Sequence, residues 1–321
     1  MMRMKIGLKR KLVQIAAFGL SNAHVGNLAL GKLYTGKWKN FCNPGLNCYS
    51  CPAATTACPI GALQAVTGSI KFDFSFYVVG FLLAVGVVLG RFVCGFLCPF
   101  GLIQDLLHKI PLPKWRLPRW MKYVKYAVLV IFVLLLPVVA VNIVGMGDPA
   151  FCQYICPSGT LLGAGPLLAA DEFLRNSTGW LFAWKVFVLA VVLIGSMVIF
   201  RFFCKLLCPL GAIYGLMNKV SLYRIKVDES KCIHCGKCAR VCLMDVDPVK
   251  SPNDAECIRC GACAEACPTG ALSIGFGIRK KKQTEVASTP CGGHCPGCDG
   301  KSCPSVSPDK EETTKETGGE K

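Results

Sequence analysis

The chain has 321 residues, 53% of them hydrophobic, with 22 cysteines and a formal net charge of +17. Apolar content and cysteine density together exceed what one ordinary soluble domain carries, so more than one structural unit is expected. The basic residues flank apolar runs instead of forming a stripe beside a recognition motif; they read as topology signals, and nucleic acid is excluded as a partner.

In chain order, Arg3, Lys5, Lys9, Arg10 and Lys11 precede a first apolar run over 12–30, which is interrupted by Gln14, Asn22, His24 and Asn27. A cleavable signal peptide is the competing reading, but the polar interruptions and the lack of a small-residue cleavage site favour an uncleaved span. Three plainer runs follow at 73–90, 123–145 and 180–200, each near the twenty residues a bilayer core requires. Lys109, Lys114, Arg116, Arg119, Lys122 and Lys125 lie between the second and third runs, whereas Asp148, Asp171 and Glu172 follow the third. The positive-inside bias then places both chain ends in the cytoplasm, giving a multi-pass protein of the cytoplasmic membrane. The apolar stretch 158–170, with Gly159, Gly163, Gly165 and Pro166, is too short to cross and reads as a re-entrant or interfacial piece. His24 inside the first run reads as a histidine satisfied by its neighbours, with a quinone contact or haem ligand as the sharper alternative.

Beyond the fourth run, residues 221–277 read as a compact soluble module. Cys257, Cys260, Cys263 and Cys267, followed by Pro268, form a complete CxxCxxCxxxCP run, and Cys232, Cys235, Cys238 and Cys242 repeat the spacing with Leu243 in place of proline. This spacing belongs to two [4Fe–4S] clusters in which the fourth cysteine of each run serves the other cluster. Cys232, Cys235, Cys238 and Cys267 are therefore grouped as one site, and Cys257, Cys260, Cys263 and Cys242 as the second. Structural zinc is the rival, disfavoured because the duplicated, interleaved pattern suits paired cubanes.

An internal repeat flanks the apolar runs. Arg91 precedes Cys94, Cys98, Pro99 and Gly101; Arg201 precedes Cys204, Cys208, Pro209 and Gly211. Three residues between cysteines put both sulfurs on one side of a helical turn, so two such pairs facing one another supply four thiolates for an inner-face site. Arg91 and Arg201 read first as positive-inside boundary residues. Cys152 and Cys156 with Pro157, Cys51 with Pro52, Cys58 with Pro59, and Cys42 and Cys48 define an outer-face set, for which disulfides and further metal centres stay open. Cys291, Cys295, Cys298 and Cys303, with His294, sit in a polar tail whose composition suits disorder and whose spacing matches no firm pattern.

On Gly90-Arg91 with Cys94, Cys98 and Pro99, on Arg201 with Cys204, Cys208 and Pro209, and on the eight ferredoxin cysteines, the chain resembles the membrane-bound polyferredoxins of the NapH/NosR type. The stretch from Asn43 to Pro52 resembles a subgroup common in anaerobic bacteria. The resemblance implies electron transfer between a quinol pool or cytoplasmic donor and a redox partner: a periplasmic or membrane reductase, a cytochrome or a ferredoxin. An assembly factor that reduces metal or thiol during biogenesis of a membrane enzyme is the rival from another class. The expected architecture is an α-helical integral membrane domain of about four transmembrane helices over 1–220, then a small α+β two-cluster ferredoxin domain over 221–277, then a polar tail over 278–321. No nucleophile, acid/base pair or phosphate loop is evident, so the only bond chemistry in view is quinol oxidation.

Overall fold

The computed structural model describes residues 6–69, 75–141 and 147–277. Contacts group Met1–Ile278 as one unit and Arg279–Lys321 as another; the tail cysteines Cys291, Cys295, Cys298 and Cys303 all lie outside the described residues.

Among the described residues, eight helices of nine residues or more build the body: α1 (Ile6–Ser21), α2 (Pro59–Gly68), α3 (Phe76–Leu89), α4 (Pro99–Leu107), α5 (Trp120–Val139), α6 (Gly159–Ala170), α7 (Trp180–Val198) and α8 (Pro209–Met217). Helix α4 packs between α1 and α7, while α8 lies against α3 and α5 and α2 packs on α3 and α5. Two of these helices, α5 and α7, are long and apolar enough to cross a membrane. Their apolar side chains face largely outward: Trp180 is 85% exposed and Phe187 59%. An apolar helix with so little of its surface buried needs an apolar surrounding.

The expectation of four full-length spans is met only in part. Helix α3 covers fourteen residues. The run expected over 12–30 is not one helix: α1 stops at Ser21, and a separate turn forms at Gly26–Leu30. The break follows from hydrogen bonding. The Ser21 carbonyl accepts from the Asn47 side chain and from the Thr55 backbone N–H, so a loop over 42–57 takes up what the next helical turn would have used. Within α5, a π-helical segment runs from Leu129 to Leu135, and the Thr67 hydroxyl donates to the Val133 carbonyl inside it.

The last described segment is a two-stranded antiparallel sheet, β1 (Tyr223–Val227) with β2 (Leu272–Phe276), pairing Tyr223 with Phe276 and Val227 with Leu272. Two short helical turns, Lys237–Arg240 and Ala262–Ala266, sit between the strands. A hairpin of this size has no independent stability. It gains it by packing on the helices: Ile258 belongs to the same hydrophobic core as Cys94, Cys204 and Phe203, and Cys242 and Cys260 pack against that core.

Candidate metal centres

In the module between the strands, Cys232, Cys235, Cys238 and Cys267 line one cavity together with Pro268. Cys242, Cys257, Cys260 and Cys263 line a second. The crossing of the fourth cysteines has a backbone cause. Each CxxCxxC loop turns through left-handed residues, His234 and Gly236 in the first and Arg259 and Gly261 in the second. The short turn that follows then carries its last cysteine away from its own loop. Burial pushes the Cys257 and Cys263 thiols up to about 12. Ligation of a cluster would require these thiols to give up their protons.

Cys94, Cys98, Cys204 and Cys208 are all buried and converge in the helical body. Burial comes first in raising Cys98, up to about 12, and the nearby Cys204 and Cys94 add to it. Cys98 and Cys208 occupy equivalent places: each is an extended residue at the N-cap of a helix whose first position is proline. Three residues on, a glycine stands over the sulfur. The Gly211 N–H donates to the Cys208 sulfur at 3.4 Å. A Cβ on Gly101 would lie 3.1 Å from the Cys94 carbonyl oxygen of its own motif and 3.4 Å from the Arg201 guanidinium of the other, so a side chain there would crowd both.

Arg91 and Arg201 are fully buried, which corrects their reading as boundary residues. They cross over: the Arg91 guanidinium donates to the Cys204 carbonyl at 3.3 Å, and the Arg201 guanidinium donates to the Cys94 carbonyl. Arg201 also forms a two-pronged pair with Asp105, at 2.7 and 2.8 Å, and Asp105 takes Arg10 and Gln14 besides. Arg91 pairs with Glu256 at 2.8 Å, and Lys125 bonds the other oxygen of that carboxylate. Burial would raise the Glu256 pKa, but Arg91 and Lys125 outweigh it and hold the carboxyl at about 2. A charge buried so deeply is tolerable only when paired in this way. Sequence reasoning also missed Gln104, whose side chain donates to the Cys204 sulfur at 3.2 Å and accepts from the Phe203 N–H. The signal was present in the recurrence of glutamine five residues after Pro59 and after Pro99.

Asn218 joins the two regions. Its side-chain oxygen accepts from the Arg91 N–H at 2.9 Å, and its amide donates to the Cys257 and Asp254 carbonyls, both at 2.8 Å. Arg259 donates to the Leu89 and Asn218 carbonyls and to the Ser221 hydroxyl. A Cβ on Gly95 would sit 2.6 Å from the Ile258 carbonyl oxygen, which places the backbone beside Cys94 directly against the backbone beside Cys257.

The structure divides the six remaining described cysteines. The Cys48, Cys152 and Cys156 sulfurs gather around Gly61, Gly159 and Gly163, with the Cys58 side chain against Gly61. The Cys51 sulfur faces the Asn22 side chain at 3.8 Å, and Cys42 forms a backbone bridge with Ala57. His24 stacks on Tyr34 with ring centroids 3.9 Å apart. No disulfide joins any of the described cysteines. Among the described residues no three His, Cys, Asp or Glu converge closely enough to grip a single ion.

The 4Fe-4S binding domain family matches residues 74–118, 127–164 and 180–228, and two further 4Fe-4S binding domain families match 224–246 and 251–273. The ferredoxin-type protein NapH of Haemophilus influenzae is 30% identical over 161 residues, 48% of each chain. The methylamine utilization ferredoxin-type protein MauN of Paracoccus denitrificans is 29% identical over 187 residues, 56% of this chain and 55% of its own length. The regulatory protein NosR of Pseudomonas aeruginosa is 28% identical over 154 residues, 46% of this chain and 19% of NosR. The chain thus spans about half the length of the NapH and MauN it matches. No solved structure matches. With 4Fe-4S binding domains over both the helical body and the sheet module, and these relatives beside them, the chain belongs to the NapH/NosR-type polyferredoxins, a ferredoxin-type electron transport family.

Proposed function

We propose that the protein is a membrane-bound relay that passes electrons between a quinol pool or cytoplasmic donor and a redox partner. Its centres in this reading are held by Cys232, Cys235, Cys238 and Cys267, by Cys257, Cys260, Cys263 and Cys242, and by Cys94, Cys98, Cys204 and Cys208. When bound, [4Fe–4S] clusters supply one-electron transfer at potentials set by charge, hydrogen bonds to sulfur and burial.

The observation that carries this reading is the junction at Asn218. One side chain accepts from Arg91, three residues before Cys94, and donates to the carbonyl of Cys257 itself. With Gly95 against Ile258, it holds the module's inner cysteine set in fixed register with the helix-held set. The exposed surface of the other module set, where Cys235 and His234 lie open, offers the docking side for a soluble donor. Arg91 and Arg201 place two positive charges beside the helix-held sulfurs and offset their negative charge. Helices α5 and α7, with two shorter apolar partners, anchor this body in the bilayer.

Iron and acid-labile sulfide are to be counted in anaerobically purified protein, followed by titration with a quinol analogue. The module alone accounts for about eight irons, and a helix-held centre for about four more. Loss of those four in a Cys94→Ser, Cys204→Ser variant is the expected outcome. Centres that no quinol reduces would remove the quinol half of the reading, and iron-free protein would remove all of it.

A further inference from the structure

The helix-held centre has a second copy within the same body. Around Cys98, the chain reads Cys98-Pro99, Gly101 and Gln104; around Cys58 it reads Cys58-Pro59, Gly61 and Gln64 at identical spacing. Phe203, Cys204, Cys208, Pro209 and Gly211 are likewise matched in register by Phe151, Cys152, Cys156, Pro157 and Gly159. The side chains repeat as well. Gln104 donates to the Cys204 sulfur and accepts from the Phe203 N–H at 3.2 Å. Gln64 donates to the Cys152 sulfur at 3.1 Å and accepts from the Phe151 N–H at 2.9 Å. Cys58 and Cys98 are both extended N-caps before a helix that begins with proline, with φ of −75° and −82°. Cys156 has the same conformation before Pro157.

The two copies differ at one ligand. Cys94 lies four residues before Cys98, but the position four before Cys58 is Ala54. A different residue makes good the deficit. Cys48 comes in from the loop over 42–57, with its sulfur 3.8 Å from where a Cβ on Gly159 would be and 3.2 Å from one on Gly163. The same Gly159 position is 4.0 Å from the Cys156 sulfur, and a Cβ on Gly61 would be 3.9 Å from that of Cys152. Glycines at 61, 159 and 163 therefore leave a space bounded by the sulfurs of Cys48, Cys152 and Cys156, with the Cys58 Cβ 3.8 Å from where a Cβ on Gly61 would be. The two arginines that flank the first copy have no counterpart here, where Pro149 and Cys51 stand at the matching positions; the described cation beside Cys48 and Cys152 is Lys185 of α7.

We propose that Cys48, Cys58, Cys152 and Cys156 ligate an additional iron–sulfur cluster as four thiolates, with Gln64 as the positioning residue that donates to the Cys152 sulfur. Cys42 and Cys51 are not ligands. This deepens the relay reading and rests on it, extending the line of centres to the side of the body away from the ferredoxin module. An amide hydrogen bond to a ligand sulfur stabilises the reduced, more negative state, so Gln64 raises the potential of this centre.

Wild-type protein is expected to carry about sixteen irons, four per site, against about twelve without this centre. A Cys58→Ser, Cys152→Ser variant should lose about four irons and about four sulfides together with one component of the electron paramagnetic resonance spectrum of the reduced protein. Cys42→Ser and Cys51→Ser should lose none. Gln64→Leu should keep the full iron count and lower the potential of that one component. About twelve irons in wild-type protein, lost only when Cys94 and Cys204 are changed, overturns the added centre and leaves the relay reading intact. Recovery of Cys48, Cys58, Cys152 and Cys156 as disulfides after anaerobic denaturation overturns it too. Loss of the module's own eight irons would instead overturn the underlying reading.

Discussion

The ferredoxin module and the helical body hold cysteines in opposite ways. In the module, two runs of eleven residues carry all eight cysteines, the loops are partly open and glycines turn the chain. In the body, Cys94 and Cys204 come from segments more than a hundred residues apart, every sulfur of that set is buried, and two guanidiniums are buried with them. A local loop can preform its site with few long-range partners, whereas the helix-held set exists only once α4, α8 and the buried ion pairs are in place. Damage to the module should therefore stay local, and damage to the body's ion pairs should be global.

The largest expected effect is at Arg201. Replacing it by alanine takes away the two-pronged partner of the buried Asp105, leaving it only Arg10 and Gln14, and removes the donor to the Cys94 carbonyl. Breaking a buried pair costs about 3–5 kcal/mol, so thermal unfolding of R201A in detergent should shift strongly downward. Arg201→Lys should recover only part of the loss, since a lysine cannot reproduce the fork. An unchanged melting temperature would show that the pair contributes no net stability.

Gly95→Ala comes next. Its Cβ would meet the Ile258 carbonyl at 2.6 Å, a backbone atom that cannot swing aside. Overpacking of this kind costs about 1–3 kcal/mol. The module should detach more readily, seen as faster proteolysis between the body and β1, while its own iron remains. Simultaneous loss of both would contradict the separation drawn here.

The pH dependence is smaller and has a definite sign. Burial would raise the Asp105 pKa, but the Arg201 charge and its hydrogen bonds outweigh that and hold the carboxyl below its ordinary range. A depressed folded-state value means the stabilisation is complete above the unfolded value of about 4 and is lost as pH falls through the lower folded value. Unfolding curves of wild type and Asp105→Asn should converge in that acid window and separate above it. Parallel curves would show that another group governs acid stability. The smallest effect belongs to Arg175, whose pair with Glu172 is largely exposed at 58% and 79%; Arg175→Ala should change stability by about 0–1 kcal/mol.

The cysteine spacings of the module, the apolar runs that became α3, α5 and α7, and the paired CP motifs could all be read along the chain, because each depends on residues a few positions apart. Other features could not. Arg91 and Arg201 look like boundary residues until Glu256 and Asp105, over ninety residues away in each case, are brought to them. The run over 12–30 has enough apolar residues to pass as one helix, yet Asn47 and Thr55 from a later loop end it at Ser21.

By itself, then, the sequence determined which residue types bear sulfur, at what local spacing, and which stretches are apolar, since hydropathy and ligand periodicity are properties of neighbours. Only the tertiary structure decided which cysteines meet, bringing Cys48 from the loop over 42–57 to Gly159 and Gly163, beside Cys156. It also decided that the arginines are buried. Those outcomes depend on packing and charge pairing across the whole body, where the cost of an unpaired buried charge or a misplaced Cβ selects one arrangement among many that local spacing allows.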